Sequence, residues 1–119
     1  MNHPSVFPIN QDSLNIAANI LLEGGVVCMP TDTFYGLAGI ATNETAVEKI
    51  FNIKQRPANT PLPIFIEKPE DLINLSTQTI SEDIRKITDT FWPGALTIIV
   101  KKSNKIPTIT VAGLESAGF

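Results

Sequence analysis

The chain has 119 residues, 43% of them hydrophobic, with one cysteine and a net charge of −3. That is a single domain's length with apolar content enough for a core. No apolar run approaches the roughly 18 residues a membrane span needs. A lone cysteine has no partner for an intrachain disulfide, and the acidic balance argues against a protein whose main work is non-specific nucleic-acid binding. The N-terminus lacks a basic start followed by a long apolar stretch, so it is no secretory signal, and a cytoplasmic location is expected. Metal binding through a cysteine cluster is excluded, because Cys28 stands alone inside an apolar run and the single histidine, His3, lies in the N-terminal tail.

Residues 1–10 carry Pro4 and Pro8 and no hydrophobic period, and read as an extended arm. Asn10 or Asp12 can cap a helix with Leu14, Ala17, Ala18 and Leu21 on one face, at the spacing of an amphipathic helix. Gly24-Gly25 ends it, since glycine accepts the left-handed conformation of a helix C-terminus. Val26 to Met29 reads as a fully buried strand closed by Pro30, with Cys28 as small core filler. Asn43 can cap a second helix that buries Ala46, Val47, Ile50 and Phe51.

The prolines of "KQRPANTP", Lys54 to Pro61, make a loop, and "LPIFI", Leu62 to Ile66, reads as a short buried strand. Pro69 suits the first turn of a helix reaching about Leu75. Ser81 opens another, with Glu82 and Asp83 at the positive end of its dipole and Ile84, Ile87 and Phe91 as its apolar stripe. Trp92-Pro93-Gly94 is a turn with an apolar anchor, and Ala95 to Val100 is the most strand-like run. "ITVAGLESAGF" suggests a strand, a turn and the start of another strand. The alternation of helix and strand argues an α/β architecture. A sheet ending at Phe119 has an uncovered edge, which invites pairing with another chain, so the sequence reads as part of something longer and a homodimer through that edge is one outcome.

Two loops hold the residue types that do chemistry. The first, Thr31 to Gly36, leaves the carboxyl end of the Val26–Met29 strand, where open α/β sheets bind ligands. Thr31, Thr33 and Tyr35 offer hydroxyls for a small polar ligand, and Gly36 would let backbone come close. The second, Lys54 to Thr60, carries Lys54 and Arg56, which an extended segment would point to the same side. Such a pair suits a polyphosphate, the arginine through paired hydrogen bonds and the lysine as a point charge. No Walker-type phosphate loop is present. Each feature also has a plainer reading. Lys54 and Arg56 can be a solvated basic end of a helix, Thr31 and Asp32 can be turn-formers, and Tyr35 can be half-buried core. Lys101, Lys102 and Lys105 are the best candidate basic patch, or a solvated edge.

In order and at matching spacing, "GGVVCMPTDTFYGL", "KIFNIKQRPANTPLPIFI", "FWPGALTIIVKKS" and "TVAGLES" resemble the YrdC-like threonylcarbamoyl-AMP synthase family, from about Leu14 to the last residue. The resemblance implies a twisted mixed α/β sheet with flanking helices around a large concave cavity. It implies formation of L-threonylcarbamoyl-adenylate from L-threonine, bicarbonate and ATP with Mg2+, releasing pyrophosphate. The product would feed the N6-threonylcarbamoyl modification of adenosine 37 in tRNA through a partner transferase.

On this resemblance Thr33 falls on the threonine-contacting position, with Thr31 and Tyr35 beside it. Lys54 and Arg56 fall on the Lys-x-Arg that handles the ATP phosphates, and Thr60 and Ser116 on positions near the nucleotide. No protein nucleophile is implied and no side-chain metal ligand. Phe65 stands where many relatives carry histidine. Family members continue into an R-x-P-x-H segment and then S-A-N, which help close the cavity. The chain is therefore read as a truncated N-terminal portion of the domain, residues 1–119, weakly active or inactive alone. Two other readings stay open: a double-stranded RNA or tRNA-binding module without catalysis, and a carbamoyl-transfer domain of the kind found in hydrogenase maturation factors.

Overall fold

A computed structural model describes residues 5–119. His3 lies outside the described residues. The elements in chain order are α1 (Gln11–Leu22), β1 (Val27–Pro30), β2 (Tyr35–Ala38), α2 (Glu44–Lys54), α3 (Asp71–Leu75), α4 (Glu82–Phe91), β3 (Ile99–Lys101), a 3-10 helix (Thr108–Val111) and β4 (Ser116–Gly118).

Helix starts and stops follow the local chemistry. The Asn10 side chain accepts from Ser13 N, and Ser13 Oγ accepts in return from Asn10 N, a reciprocal capping box. Asn43 accepts from Ala46 N at 3.1 Å and Ser81 from Ile84 N at 3.2 Å. α1 ends as expected: Gly24 takes φ 82°, its N–H donates to Leu21 O, and Gly25 N–H donates to Ile20 O.

The α/β class expected from the sequence holds, and its strands form two antiparallel ribbons. β1 pairs with β2 in the register Val27–Ala38 to Pro30–Tyr35. β3 pairs with β4, and Ile98 and Phe119 exchange both backbone hydrogen bonds to extend that ladder. The Leu62–Ile66 segment runs alongside β4, with Leu62 N donating to Thr110 O and Ile64 N to Gly118 O. Only Ile64 of that segment is buried, and Phe65 is exposed.

The core lies between the β3–β4 ribbon, α3 and the 3-10 helix. Ile64, Leu72, Val100, Ile106, Val111, Ala117 and Phe119 form it, and Trp92 packs against its side. α2 buries Ala46, Val47, Ile50 and Phe51, the four residues its period specifies. Thr110 Oγ1 donates to Ala41 O at 2.8 Å and ties the 3-10 helix to the chain entering α2. Trp92 Nε1 donates to Leu96 O across the Trp92-Pro93-Gly94 turn.

Several expectations are corrected. Val26–Met29 is not a fully buried strand: β1 alternates half-buried and exposed residues, and Cys28 is exposed rather than core filler. A two-stranded ribbon has two edges and two faces, and only one face can meet α1. The Thr108–Val111 stretch is a 3-10 helix, not a strand, because Pro107 starts a turn that Ala112 and Gly113 close with positive φ. No residue of α1 is buried, and of α4 only Thr88 is, while Ile87 and Phe91 stay exposed. Both helices have the expected apolar stripes, and the described chain covers them only in part, with Ala17, Leu21 and Ile84 half-buried.

Candidate functional site

The Thr31–Gly36 stretch is the tip and second strand of a hairpin rather than a strand-to-helix loop. Pro30 opposes Tyr35 and Met29 opposes Gly36, so residues 31–34 form the connection. The tip is closed by Thr31. Its N–H donates to Phe34 O at 3.1 Å, its hydroxyl donates to the same carbonyl, and the hydroxyl also accepts from Thr33 N. The turn-forming role open to Thr31 in the sequence is thus the one its hydroxyl fills. Thr33 Oγ1 lies 3.3 Å from Thr31 Oγ1 on the exposed side of the tip. Tyr35 is 75% exposed, not half-buried core, and Phe34 beside it is 85% exposed. Gly36 sits inside β2, where a Cβ would make only ordinary contact with Thr31 Cγ2, so its backbone is not specially approached.

The second group is built on the C-terminus of α2. Lys54 is the last helical residue and Gln55 turns left-handed at φ 50°. Arg56 N–H then donates to Phe51 O and Gln55 N–H to Asn52 O, the two bonds of a helix-ending motif that usually employs glycine. The extended Lys54–Arg56 segment expected from the sequence is therefore absent: a helix end and a left-handed residue separate the two cations, so an i, i+2 argument does not apply to them. Arg56 is half-buried. Its Nη2 donates to Pro61 O at 3.2 Å and braces the proline loop, while its Nε is buried without a hydrogen-bond partner. Thr60 N–H donates to Pro57 O within that loop.

Arg56 borders an open cleft of about 430 Å³ between α2 and the 3-10 helix, with Glu48, Phe51, Asn52, Gln55, Ala58 and Ile109 as its other walls. Glu48, Asn52 and Gln55 were not singled out by sequence reasoning. Their i, i+4, i+7 spacing, on the face of α2 opposite Ala46 and Ile50, was the available signal. Lys54 and Thr60 do not line this cleft, and Ser116 sits at the start of β4 opposite Lys101. The structure thus brings Thr31 and Thr33 together and groups Arg56 with Glu48 and Asn52. Among the described residues no hydrogen bond joins the hairpin to the Lys54–Thr60 loop.

The basic patch is smaller than its sequence suggests, because Lys102 Nζ donates to Ile106 O and is half-buried, leaving Lys101 and Lys105 exposed. Among the described residues no three carboxylate, histidine or cysteine side chains gather as a metal-holding group, and no helix is long and apolar enough to cross a membrane.

Fold and site together define an α/β chain that displays a hydroxyl-bearing hairpin and an arginine-edged cleft from one scaffold. A model of the Sua5–YciO–YrdC family, described by the words "telomere recombination", matches residues 19–119, and the chain belongs to this family. It is 40% identical over 108 residues to the threonylcarbamoyl-AMP synthase of Pyrococcus abyssi, covering 91% of this chain and 32% of that one. It is 36% identical to a putative threonylcarbamoyl-AMP synthase of Methanocaldococcus jannaschii, covering 87% of this chain and 51% of the relative. The fold superposes with a TM-score of 0.87 on the crystal structure of P. abyssi Sua5 complexed with L-threonine, at 38% identity, over 94% of this chain and 33% of that one. The chain thus spans about a third to a half of the length of these relatives.

Proposed function

We propose that this chain is the N-terminal portion of a domain that makes L-threonylcarbamoyl-adenylate from L-threonine, bicarbonate and ATP. The observation that carries the reading is the hairpin of Thr31, Thr33 and Tyr35, on a scaffold that superposes at a TM-score of 0.87 on a relative solved with L-threonine. In this reading the exposed Thr33 and Tyr35 hydroxyls hold the amino acid, and Thr31 shapes the tip that presents them. Arg56, with a buried Nε lacking a partner, faces the nucleotide phosphates, and Lys54, Thr60 and Ser116 add to the nucleotide side.

The chemistry asks for no protein nucleophile. Threonine's amine and bicarbonate form a carbamate with loss of water. A carbamate oxygen then bonds to the α-phosphorus of ATP, the bond to the bridging oxygen breaks, and pyrophosphate leaves with the electron pair. Transfers of this kind depend on positioning and on cations beside the phosphates. Magnesium, which favours phosphate oxygens, would arrive with ATP. The product would pass to a transferase acting on tRNA, in the reducing cytoplasm that an unpaired Cys28 fits. The RNA-binding alternative draws on a lysine cluster of which Lys102 is internally bonded, and so has less support.

The test has two readouts. L-Threonine is expected to shift the backbone amide resonances of Thr31–Tyr35 in the 119-residue chain, and D-threonine is not. At the relatives' full length, the domain is expected to release pyrophosphate only when threonine, bicarbonate and ATP are all present. Arg56→Ala should lower kcat/KM for ATP at least tenfold. The chain alone should turn over little, because a misplacement of about 1 Å is costly. A full-length domain that releases no pyrophosphate and leaves the hairpin resonances unmoved would overturn the assignment.

A further inference from the structure

The two groups of residues that the proposed reaction needs lie on opposite sides of one narrow junction. Thr31, Thr33 and Tyr35 belong to the β1–β2 hairpin, before Gly39. Lys54, Arg56 and Thr60 come after it, at and beyond the end of α2. Among the described residues a single hydrogen bond joins residues 5–39 to the rest of the chain. Lys49 Nζ, on α2, donates to Gly24 O at 3.0 Å. Gly24 lies in the turn between α1 and β1, so this bond fastens the start of the hairpin to the helix.

The end of the hairpin is fastened by contact instead. Gly39 follows β2, and a Cβ there would come 3.3 Å from both Ala46 Cβ and Ile50 Cδ1. That is tighter than ordinary contact, so the absence of a side chain lets the backbone seat on α2. Asn43, whose Oδ1 caps α2, also lies close to Gly24: a Cβ on Gly24 would come 3.1 Å from Asn43 Nδ2. The same few residues hold the other wall of the arginine-edged cleft, since Ala41 O accepts from Thr110 Oγ1, next to Ile109. Beyond the junction the parts go separate ways: the hairpin packs on α1, and α2 on the 3-10 helix.

We propose that Lys49 and Gly39 are positioning residues that hold the hairpin hydroxyls at one distance and angle from Arg56, so that threonine and ATP meet in register. The proposal rests on the catalytic reading above. Neither residue touches substrate. Lys49 acts through Gly24 O, and Gly39 acts by seating the hairpin on Ala46 and Ile50. The hairpin makes small displacements large. Four residues of strand span about 13 Å, and paired strands lie about 4.8 Å apart. With the Gly24 side held, a shift of about 0.3 Å at Gly39 therefore moves the tip by about 0.8 Å. A misplacement of about 1 Å costs on the order of a hundredfold in rate.

The experiment measures turnover in the domain at the relatives' full length and geometry in the 119-residue chain. Gly39→Ala puts a methyl group into the contact with Ala46. Lys49→Met keeps an apolar stem and removes the donor. Each is expected to lower kcat for pyrophosphate release at least tenfold. KM for threonine and for ATP should stay within twofold, because each substrate still meets its own intact group. Lys49→Arg, which keeps a donor, should recover at least half of kcat. Ala46→Gly added to Gly39→Ala should do the same, since it removes the opposing methyl group. In the 119-residue chain, residual dipolar couplings are expected to show the hairpin turned relative to α2 in Gly39→Ala, with far-UV circular dichroism unaltered. An unchanged orientation, a rise in KM in place of the fall in kcat, or a loss of kcat that neither Lys49→Arg nor Ala46→Gly recovers would each overturn the proposal. So would turnover indifferent to both substitutions, which leaves the catalytic reading standing. An unsubstituted full-length domain that releases no pyrophosphate would overturn the catalytic reading and this proposal with it.

Discussion

Gln55 is a residue whose conformation is at odds with its type. At φ 50° and ψ 38° it occupies the left-handed position that glycine fills at the end of α1. A residue with a Cβ is held there at a cost of about 1–2 kcal/mol. Gln55→Gly is therefore expected to stabilise the chain by about 0.5–1 kcal/mol, the gain being reduced by the greater freedom of glycine in the unfolded state. Urea denaturation measures it, and a loss of stability would mean that the glutamine side chain contributes native contacts. The strain could not be read in "IKQRP", because nothing in a glutamine announces positive φ. Thr31 shows the reverse: a threonine in this stretch can be a turn-former that bonds nearby backbone, and its hydroxyl closes the hairpin tip. Arg56 was legible as a cation in a proline loop. Its brace to Pro61 O was not, since the partner follows from how the loop folds back.

At the scale of elements, caps and periods were the legible part. Asn10, Asn43 and Ser81 all cap the helices that follow them. Asn43→Ala is expected to cost about 1 kcal/mol, measured by urea denaturation, because Ala46 N would lose its side-chain partner. Four apolar positions of α2 are all buried, whereas the equally periodic stripe of α4 leaves Ile87 and Phe91 exposed. Amphipathic spacing states which side of a helix seeks a partner. It carries no information on whether a partner is there. The hairpin is the clearest miss. "CMPTDTFYGLA" was read as one strand and a loop because β2 is short, begins at the exposed Tyr35 and contains Gly36, features that weaken a strand signal.

For the molecule as a whole, stability is concentrated in one core and the remaining surface is open. Leu72 is fully buried among Val100, Ile106 and Val111, so Leu72→Ala is expected to cost about 2–5 kcal/mol. That is a large share of the roughly 5–15 kcal/mol of a typical domain. Leu22→Ala, at a side chain 77% exposed, is expected to change the stability of the isolated chain by no more than about 0.5 kcal/mol. The pair separates the two regions in one set of urea curves. Comparable losses at both positions would show that α1 is packed more tightly than its exposure indicates.

What could be read directly from the residues was local: helix starts, helix stops, the buried face of α2, and the residue types gathered at Thr31–Tyr35 and Lys54–Arg56. These depend on interactions within a few positions along the chain. Four motifs in order also carried the family, since their spacing is preserved whatever the chain does in space. The fold of the chain decided the rest: which stripes are covered, that Thr31–Tyr35 caps a hairpin, that Lys102 bonds to Ile106 O, and that Arg56 faces a cleft walled by α2 and the 3-10 helix. The hairpin tip and the Lys102 bond turn on how residues two to four positions apart fold back on one another, whereas the covered stripes and the cleft depend on segments distant in sequence. The Thr110 hydroxyl on Ala41 O, sixty-nine positions apart, is the plainest example, because no periodicity or motif encodes which carbonyl a buried hydroxyl will find.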